Sequence, residues 1–458
     1  MAFPWQRVHI VGIGGTGLSA IARVLLERGI RVSGCDRQSG PLMQAVADAG
    51  ARVFLGHDPD HVRSADALLV TSAVPEDHPE VRAAREQGIP VLRRRDFLPY
   101  LLEGREVIGV AGTHGKTTTT GMIVHMLRRG GVRAGYIVGS PLPEWGNAAW
   151  GDEPTFVIEA DEYDYMFWGL RPRVAVITNV EWDHVDLFPT EEAYREAFLH
   201  YARQAHRVVA CAEDPGALDV ARRSGRPVIT YGFRADADWQ AHGVVDTRGR
   251  IRFRPVRAGT QVGPALTLQV PGRHNVLNAL AALAALDAAG FSPDVLAPHV
   301  STYRGAHRRF QHIGSLEGVE IIDDYAHHPT EVRATLAALR QVFPGRRVWA
   351  VFQPHTYSRT RALLDRWRDA FDDADDVVVM DIYAAREQAT LGLSGEYVAR
   401  ALHHPRVHYT GDVEATVTFL REHIRPGDVV ITLGAGTNTH VARMLARSPA
   451  RALSGGSG

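Results

Sequence analysis

At 458 residues, with 45% apolar and 22% charged side chains, the chain is long enough for roughly two to four globular domains of ~100–200 residues. A formal charge of −1 excludes the basic excess that nucleic-acid binding relies on, and no apolar run reaches the ~20 residues that would span a bilayer. Cys35 and Cys211 are too few and too far apart for a disulfide framework, which fits a reducing cytoplasm. The opening MAFPWQRVHIVGIGG lacks a signal-peptide layout, and the closing SGGSG reads as a flexible end.

In chain order, RVHIVG (7–12) reads as a strand that runs into Gly12-Ile13-Gly14-Gly15-Thr16-Gly17 and then a helix, LSAIARVLLERG. RVSGCD (31–36) is a second strand ending at Asp36. Gly12, Gly14, Gly15, Gly17 and Asp36 have the spacing of a pyrophosphate cradle. Glycines let the backbone approach the anion, and the helix start supplies free N–H groups and a positive dipole end. A nicotinamide dinucleotide and a UDP-sugar both carry such a pyrophosphate, so this motif alone admits either. Another strand is predicted over 65–74, and the turn EGRE (103–106) marks a domain boundary.

EVIGVAG (106–112) is a buried strand, and Gly112, Thr113, His114, Gly115, Lys116, Thr117 and Thr118 follow it into a helix predicted over 116–129. In a phosphate-binding loop of this kind, backbone N–H groups wrap the phosphates. The lysine reaches the outer ones, and the first threonine hydroxyl holds Mg²⁺. Val110 stands where the strict motif has its first glycine. The alternative is a plain turn with a capping threonine, but composition speaks against it: Lys116 is the only lysine among 51 basic residues. A lysine kept where every other cation is arginine points to a site that needs a compact, rotatable ammonium.

Two further strands, TFVIEADE (155–162) and VAVITNVEWDH (174–184), end in Glu159, Asp161, Glu162 and Asp164, and in Asn179, Asp183 and His184. Acids at the carboxyl ends of parallel strands face the ligand crevice and suit Mg²⁺ on a nucleotide. The stretch 232–269 alternates in polarity and reads as an inserted β-meander, and 272–286 reads as a helix carrying Asn275 and Asn278. A second boundary falls near 305–318. Arg308 and Arg309, whose planar forks suit phosphate, fall within it, and apolar strands follow at VEIIDDYA, RRVWAVFQP, DDVVVMDI and DVVITLGAG. Asp324, Tyr325, His327, His355 and Arg359 follow two of these strands, where the histidines and the arginine could clamp a carboxylate.

GIGGTGLSAIARVL, GTHGKTTT, EADEYD, TNVEWDH, GRHNVLNA, RRFQ, DDYAHHPTE, FQPHTYSRT and DIYAARE occur in this order over nearly the full length. Together they resemble the Mur ligase family, in particular its branch that joins L-alanine to UDP-N-acetylmuramate. The resemblance implies an α/β chain of three domains: a Rossmann-like UDP-substrate domain (1–104), a P-loop-type ATP domain with a β insertion (105–315) and a Rossmann-like amino-acid domain (316–458). It implies a cytoplasmic enzyme of cell-wall precursor synthesis acting on small molecules, with ATP and Mg²⁺ and with neither nucleic acid nor membrane insertion. It further implies that Lys116 contacts the ATP phosphates and that Thr117, Glu159 and His184 serve magnesium. Asn275 lies near the adenine, Arg309 near the terminal phosphate and Asp324 near the ribose. Tyr325, His327, His355 and Arg359 fall in the region that receives alanine. Lys116, His184 and Arg309 are the residues expected to carry the chemistry. EADEYD also occurs in the related ligase that joins a tripeptide to UDP-N-acetylmuramate, whereas HTYSRT resembles the alanine-adding branch. Some Mur ligases place a carbamylated lysine where this chain has Phe198 and Leu199, and no second lysine exists here to take that role.

Overall fold

The computed structural model describes residues 3–389 and 392–447, so the SGGSG end lies outside the described residues. Apolar runs rich in valine and isoleucine become strands buried on both faces, the expected state of a parallel sheet covered by helices. Among the described residues the strands form three sheets.

The first sheet holds β1 (Arg7–Val11), β2 (Arg31–Asp36), β3 (Arg52–Leu55), β4 (Ala67–Val70) and β5 (Val91–Leu92) in the order β3-β2-β1-β4-β5, all parallel. The order reverses beside β1, and such a switch point opens a crevice at the strands' carboxyl ends. Gly12 leaves β1 at that crevice. The strand predicted over 65–74 is confined to β4, because the chain turns at Thr71, where Val74 N–H donates to the Thr71 carbonyl.

The second sheet is built on β6 (Glu106–Ala111), β7 (Gly135–Leu142), β8 (Gly146–Ala149), β9 (Thr155–Glu159), β10 (Pro172–Ile177), β11 (Arg207–Cys211) and β12 (Val228–Gly232). The predicted meander follows as β13 (Trp239–Thr247), β14 (Arg250–Arg257), β15 (Thr260–Gln261) and β16 (Leu266–Leu268). The order is β15-β14-β13-β12-β11-β10-β6-β9-β7-β8, with β16 on β14. β6 lies between β9 and β10 and parallel to both. This register brings the residues after Ala111, Glu159 and Ile177 to one end of the sheet. The helix Lys116–Arg129 starts there and has the predicted bounds.

The third sheet comprises β17 (Gln311–Leu316), β18 (Val319–Asp324), β19 (Val348–Phe352), β20 (Asp376–Met380), β21 (Val407–Gly411) and β22 (Val429–Leu433). Its order is β17-β18-β22-β19-β20-β21, and only β17 runs antiparallel to its neighbour. The chain divides into two compact units. One comprises the residues up to Val244 with Arg252–Leu268 and Asn275–Ala306; the other comprises Val245–Ile251, Gln269–His274 and the residues from His307 onward. The first two sheets' cores belong to the former, and the third sheet lies in the latter.

The helix Glu191–Arg203 ties packing to the site. Thr190 caps it, its hydroxyl accepting the Ala193 N–H at 3.1 Å, and Glu191 and Glu192 favour the positive end of the helix dipole. Its inner face is aromatic: Phe198 is fully buried, with ring centroids 5.3 Å from Phe167 and 5.0 Å from Tyr194. Phe198 and Leu199 are both fully buried, so this stretch of the helix is solid core. Phe198→Ala should cost about 3–5 kcal/mol of stability through the cavity it leaves, read as a lowered urea midpoint with unchanged slope. A loss under ~1 kcal/mol would contradict this packing.

Candidate active site

At the carboxyl end of β1 the glycine turn is held from below. The Cys35 carbonyl accepts the N–H groups of Gly12 (2.8 Å) and Ile13 (3.1 Å), and the Asp36 carboxylate accepts that of Gly14 at 3.0 Å. Gly12 has φ 86°, and a Cβ there would meet the Thr71 methyl group at 2.7 Å, so only glycine fits. Gly15 precedes the helix Thr16–Glu27 and offers no side-chain cap, which leaves the first-turn amides without a side-chain acceptor. Gly17 lets Arg94 come close, since a Cβ there would lie 3.2 Å from the guanidinium. Arg94 also pairs with Asp161 at 2.9 Å. An anion cradle with a cation beside it is the result. Asp36, expected among the substrate contacts, braces this loop through Gly14.

The second loop closes on its own lysine. Gly115 has φ 79°, and its missing side chain makes room for Asn278, whose Oδ1 would lie 2.6 Å from a Cβ. Asn278 also accepts from the Thr119 hydroxyl (3.2 Å) and donates to Asn275 Oδ1 (3.0 Å). Both predicted asparagines thus meet the phosphate loop, Asn278 directly and Asn275 through it. Asn179 grips the other side, accepting from His114 N–H at 2.9 Å and donating to the His114 carbonyl at 3.2 Å. Thr113 donates to the Glu181 carbonyl at 2.7 Å. Lys116 Nζ donates to the carbonyls of Gly112 (2.5 Å) and Thr113 (3.2 Å) and sits 2.9 Å from Glu162 Oε2.

Glu162 is fully buried and is the hub of this end of the sheet. Besides Lys116 it receives the Tyr194 hydroxyl (3.2 Å) and lies 3.4 Å from His184 Nε2. Burial opposes both charges of the pair. The Lys116 and His184 charges and hydrogen bonds nonetheless hold the Glu162 carboxyl below its ordinary range, and Glu162, Asp161 and Glu159 push the Lys116 ammonium up. Glu159 plays a different part: Oε1 accepts from the Thr117 hydroxyl at 3.0 Å and Oε2 from Gly139 N–H at 2.7 Å. Thr118, the next helical residue, is half-buried.

In the other unit the two arginines separate in role. Arg308 is committed to the fold, donating from Nε to Asp323 (3.0 Å) and from Nη2 to the Gly434 carbonyl (2.7 Å). Arg309 lies 4.0 Å from Glu331 and with its guanidinium 5.3 Å from the Tyr325 ring. The residues on either side of Arg309, Arg308 and Phe310, both have left-handed φ values, 57° and 49°. Asp324 accepts from Phe310 N–H (2.6 Å) and Ala326 N–H (2.7 Å). Burial raises its pKa to about 6 against these bonds and the pull of Arg309. His327 donates from Nδ1 to the Tyr325 carbonyl at 2.9 Å, with its ring 5.6 Å from that of His355, which stacks on Tyr383. Arg359 is buried in the helix Tyr357–Ala362, whose first N–H groups donate to Glu387 at 2.6 and 3.0 Å.

Residue reasoning passed over Arg94, Tyr194 and Glu387 and did not single Glu162 out from its acidic neighbours. The run Arg93-Arg94-Arg95 and the quoted DIYAARE contained the only available signals.

Family models match three successive segments: "Mur ligase family, catalytic domain" over 7–106, "Mur ligase middle domain" over 110–286 and "Mur ligase, glutamate ligase domain" over 308–436. The chain is 44% identical to the UDP-N-acetylmuramate–L-alanine ligase of Roseiflexus sp. (strain RS-1), with 95% of this chain and 98% of that protein aligned. To the protein of the same name from Chloroflexus aggregans it is 46% identical, over 95% and 97% of the two chains. Among solved structures, the UDP-N-acetylmuramate–alanine ligase of Thermotoga maritima superposes with a TM-score of 0.81 at 28% identity, covering 96% of this chain and 98% of that one. A murein peptide ligase from Psychrobacter arcticus gives 0.74 at 25%, covering 97% and 100%. The resemblance read from the motifs and the expected α/β fold are both met, and the chain belongs to the Mur ligase family.

Proposed function

We propose that this chain is an ATP-dependent ligase that joins L-alanine to the carboxylate of UDP-N-acetylmuramate in the cytoplasm. The reaction class is carried by one observation: the chain's only lysine sits at the start of a strand–loop–helix unit and is held by a buried glutamate and two loop carbonyls. Backbone carbonyls and one carboxylate are partners that a triphosphate can replace. The substrates follow from the names of relatives aligned over nearly the whole length. Two buried thiols, and no described helix long and apolar enough to cross a membrane, support the location.

A free carboxylate resists attack by an amine. Transfer of the terminal phosphoryl group of ATP gives an acyl phosphate and ADP. The alanine amine then adds to the acyl carbon, and the tetrahedral adduct expels inorganic phosphate. We assign Lys116 to the ATP phosphates, with the amides of Gly112, Thr113, His114, Gly115, Thr117 and Thr118 around them, and Arg309 to charge on the group in transfer. Asn275 is assigned to the adenine and Asp324 to the ribose. The turn of Gly12, Gly14, Gly15 and Gly17, braced by Asp36, is assigned to the UDP pyrophosphate. The Thr117 hydroxyl and Glu159 carboxylate converge as hard oxygen donors that fit Mg²⁺; His184 is assigned to the ion with them, and the ion would neutralise phosphate charge there.

Tyr325, His327, His355 and Arg359 are assigned to alanine, where an arginine pairs with its carboxylate. The amine must lose a proton as it attacks. His184, 3.4 Å from Glu162, and His327, 3.4 Å from Glu331, are the two histidines we assign as candidate bases.

Given UDP-N-acetylmuramate, ATP and magnesium, the enzyme should release one phosphate per amide formed with L-alanine. Turnover only with a tripeptide would move it to the sister branch that adds a peptide to UDP-N-acetylmuramate. Lys116→Arg should lower kcat by ~100-fold or more while leaving UDP-substrate affinity unchanged by calorimetry, because a planar guanidinium cannot follow the migrating charge. Near-normal turnover would refute the assignment. Glu162→Gln leaves a buried ammonium without its counter-charge and should cost about 3–5 kcal/mol near neutrality. The pair's contribution is complete between the ordinary values of 4.5 for Glu162 and 10.5 for Lys116. It fades as pH falls through the lowered folded value of Glu162 or rises through the raised value of Lys116. The gap in melting temperature between variant and parent should therefore stay level from about pH 5 to neutrality and narrow in stronger acid. A gap that widens on acidification would contradict the pairing.

A further inference from the structure

We propose that the first sheet carries a structural divalent-cation site of the zinc class, made by His9, Cys35, His61 and Glu80. β1 and β2 pair in parallel with His9 opposite Ser33 and Val11 opposite Cys35, so His9 and Cys35 project from the same face of the sheet. The helix Pro79–Glu86 lays Glu80 on that face, and the short turn Pro59–Val62 adds His61.

One ligand atom from each of the four lies within 4.8 Å of all the others. The closest approaches are 3.0 Å from His9 Nε2 to Glu80 Oε2, 3.1 Å from Cys35 Sγ to Glu80 Oε1 and 3.2 Å from His61 Nδ1 to Glu80 Oε1. Zinc bonds of about 2.0–2.3 Å in tetrahedral array set ligand–ligand edges of roughly 3.3–3.7 Å, so small side-chain shifts would seat an ion.

The surroundings favour a metal over a plain hydrogen-bonded cluster. His9, Cys35 and Glu80 are fully buried, and the neighbours are apolar: Val11, Val62, Leu68 and Val81. Glu80 meets the imidazoles of His9, His57 and His61, the Cys35 thiol and the Asp58 N–H. A divalent ion bound to one thiolate and one carboxylate leaves no net charge in this apolar layer, and the thiol proton passes to solvent. His57 Nδ1, 3.2 Å from Cys35 Sγ, and His78, whose buried Nε2 has no hydrogen-bond partner, complete a histidine-rich shell. Cys35 also carries, on its backbone carbonyl, the first two N–H groups of the glycine turn. The ion would therefore stiffen that turn.

The test uses the full chain. After incubation with Zn²⁺ and desalting, elemental analysis should find about one zinc per chain, falling below about a tenth in Cys35→Ser. Co²⁺ in place of zinc should give a thiolate-to-cobalt absorption band in the parent and in Cys211→Ser, the other cysteine, but not in Cys35→Ser. No retained zinc in the parent, no thiolate band in the parent, or equal zinc in Cys35→Ser would each overturn the proposal. The parent's own zinc content and cobalt spectrum decide the matter even if a variant fails to fold.

Discussion

A positive charge enclosed by its own loop is the constraint around which this end of the second sheet is arranged. Lys116 cannot be buried alone, because an unpaired ammonium in a low-dielectric interior costs several kcal/mol or more. Glu162 answers it, and Glu162 in turn needs donors, which Tyr194 supplies from the helix Glu191–Arg203 and His184 from the turn after β10. The aromatic core behind Tyr194 therefore does more than fill space. It fixes the hydroxyl that helps fix the carboxylate that holds the lysine. Asn179 and Asn278 brace the loop's backbone from opposite sides, so the partners of the ammonium are few and defined: two carbonyls and one carboxylate.

The parallel order of β9, β6 and β10 makes this possible. Three sequence segments that are far apart reach one sheet end because their strands are neighbours in register. Each contributes a different kind of group: oxygen acids after β9, amides and the ammonium after β6, and an amide side chain and an imidazole after β10. The sheet itself takes no part in the chemistry, but its register is what turns three loops into one site. The third sheet repeats the device, with Tyr325, Gln353 and Gly434 all leaving adjacent parallel strands.

Much of this was legible from residues alone, and the parts that were not share a cause. Runs such as EVIGVA and VWAVF announce themselves because both faces are buried, and the helix at Lys116 because glycines and a unique lysine mark its start. The edge strands β3 and β21 keep exposed or half-exposed side chains and gave no such run. Four acids lie within six residues of the EADEYD segment, and nothing linear says which one turns inward. That depends on the 3₁₀ turn after Glu162, where Asp164 and Tyr165 take left-handed φ values of 56° and 52°. Arg94 looks identical to the arginines beside it until a helix face is assigned. The histidine–cysteine–glutamate cluster draws on four separate elements, so it has no spacing to read.

The backbone reversal on either side of Arg309 sets a rule for change at that corner. Two like side chains stand next to each other, yet one is tied down at Asp323 and the other lies against Tyr325 and Glu331. Non-glycine residues with left-handed backbones tolerate asparagine or glycine far better than β-branched replacements. Drift in this lineage should therefore favour flexible or small substitutes at Arg308 and Phe310 and resist valine, isoleucine or threonine there, even where such residues would suit the neighbouring strand.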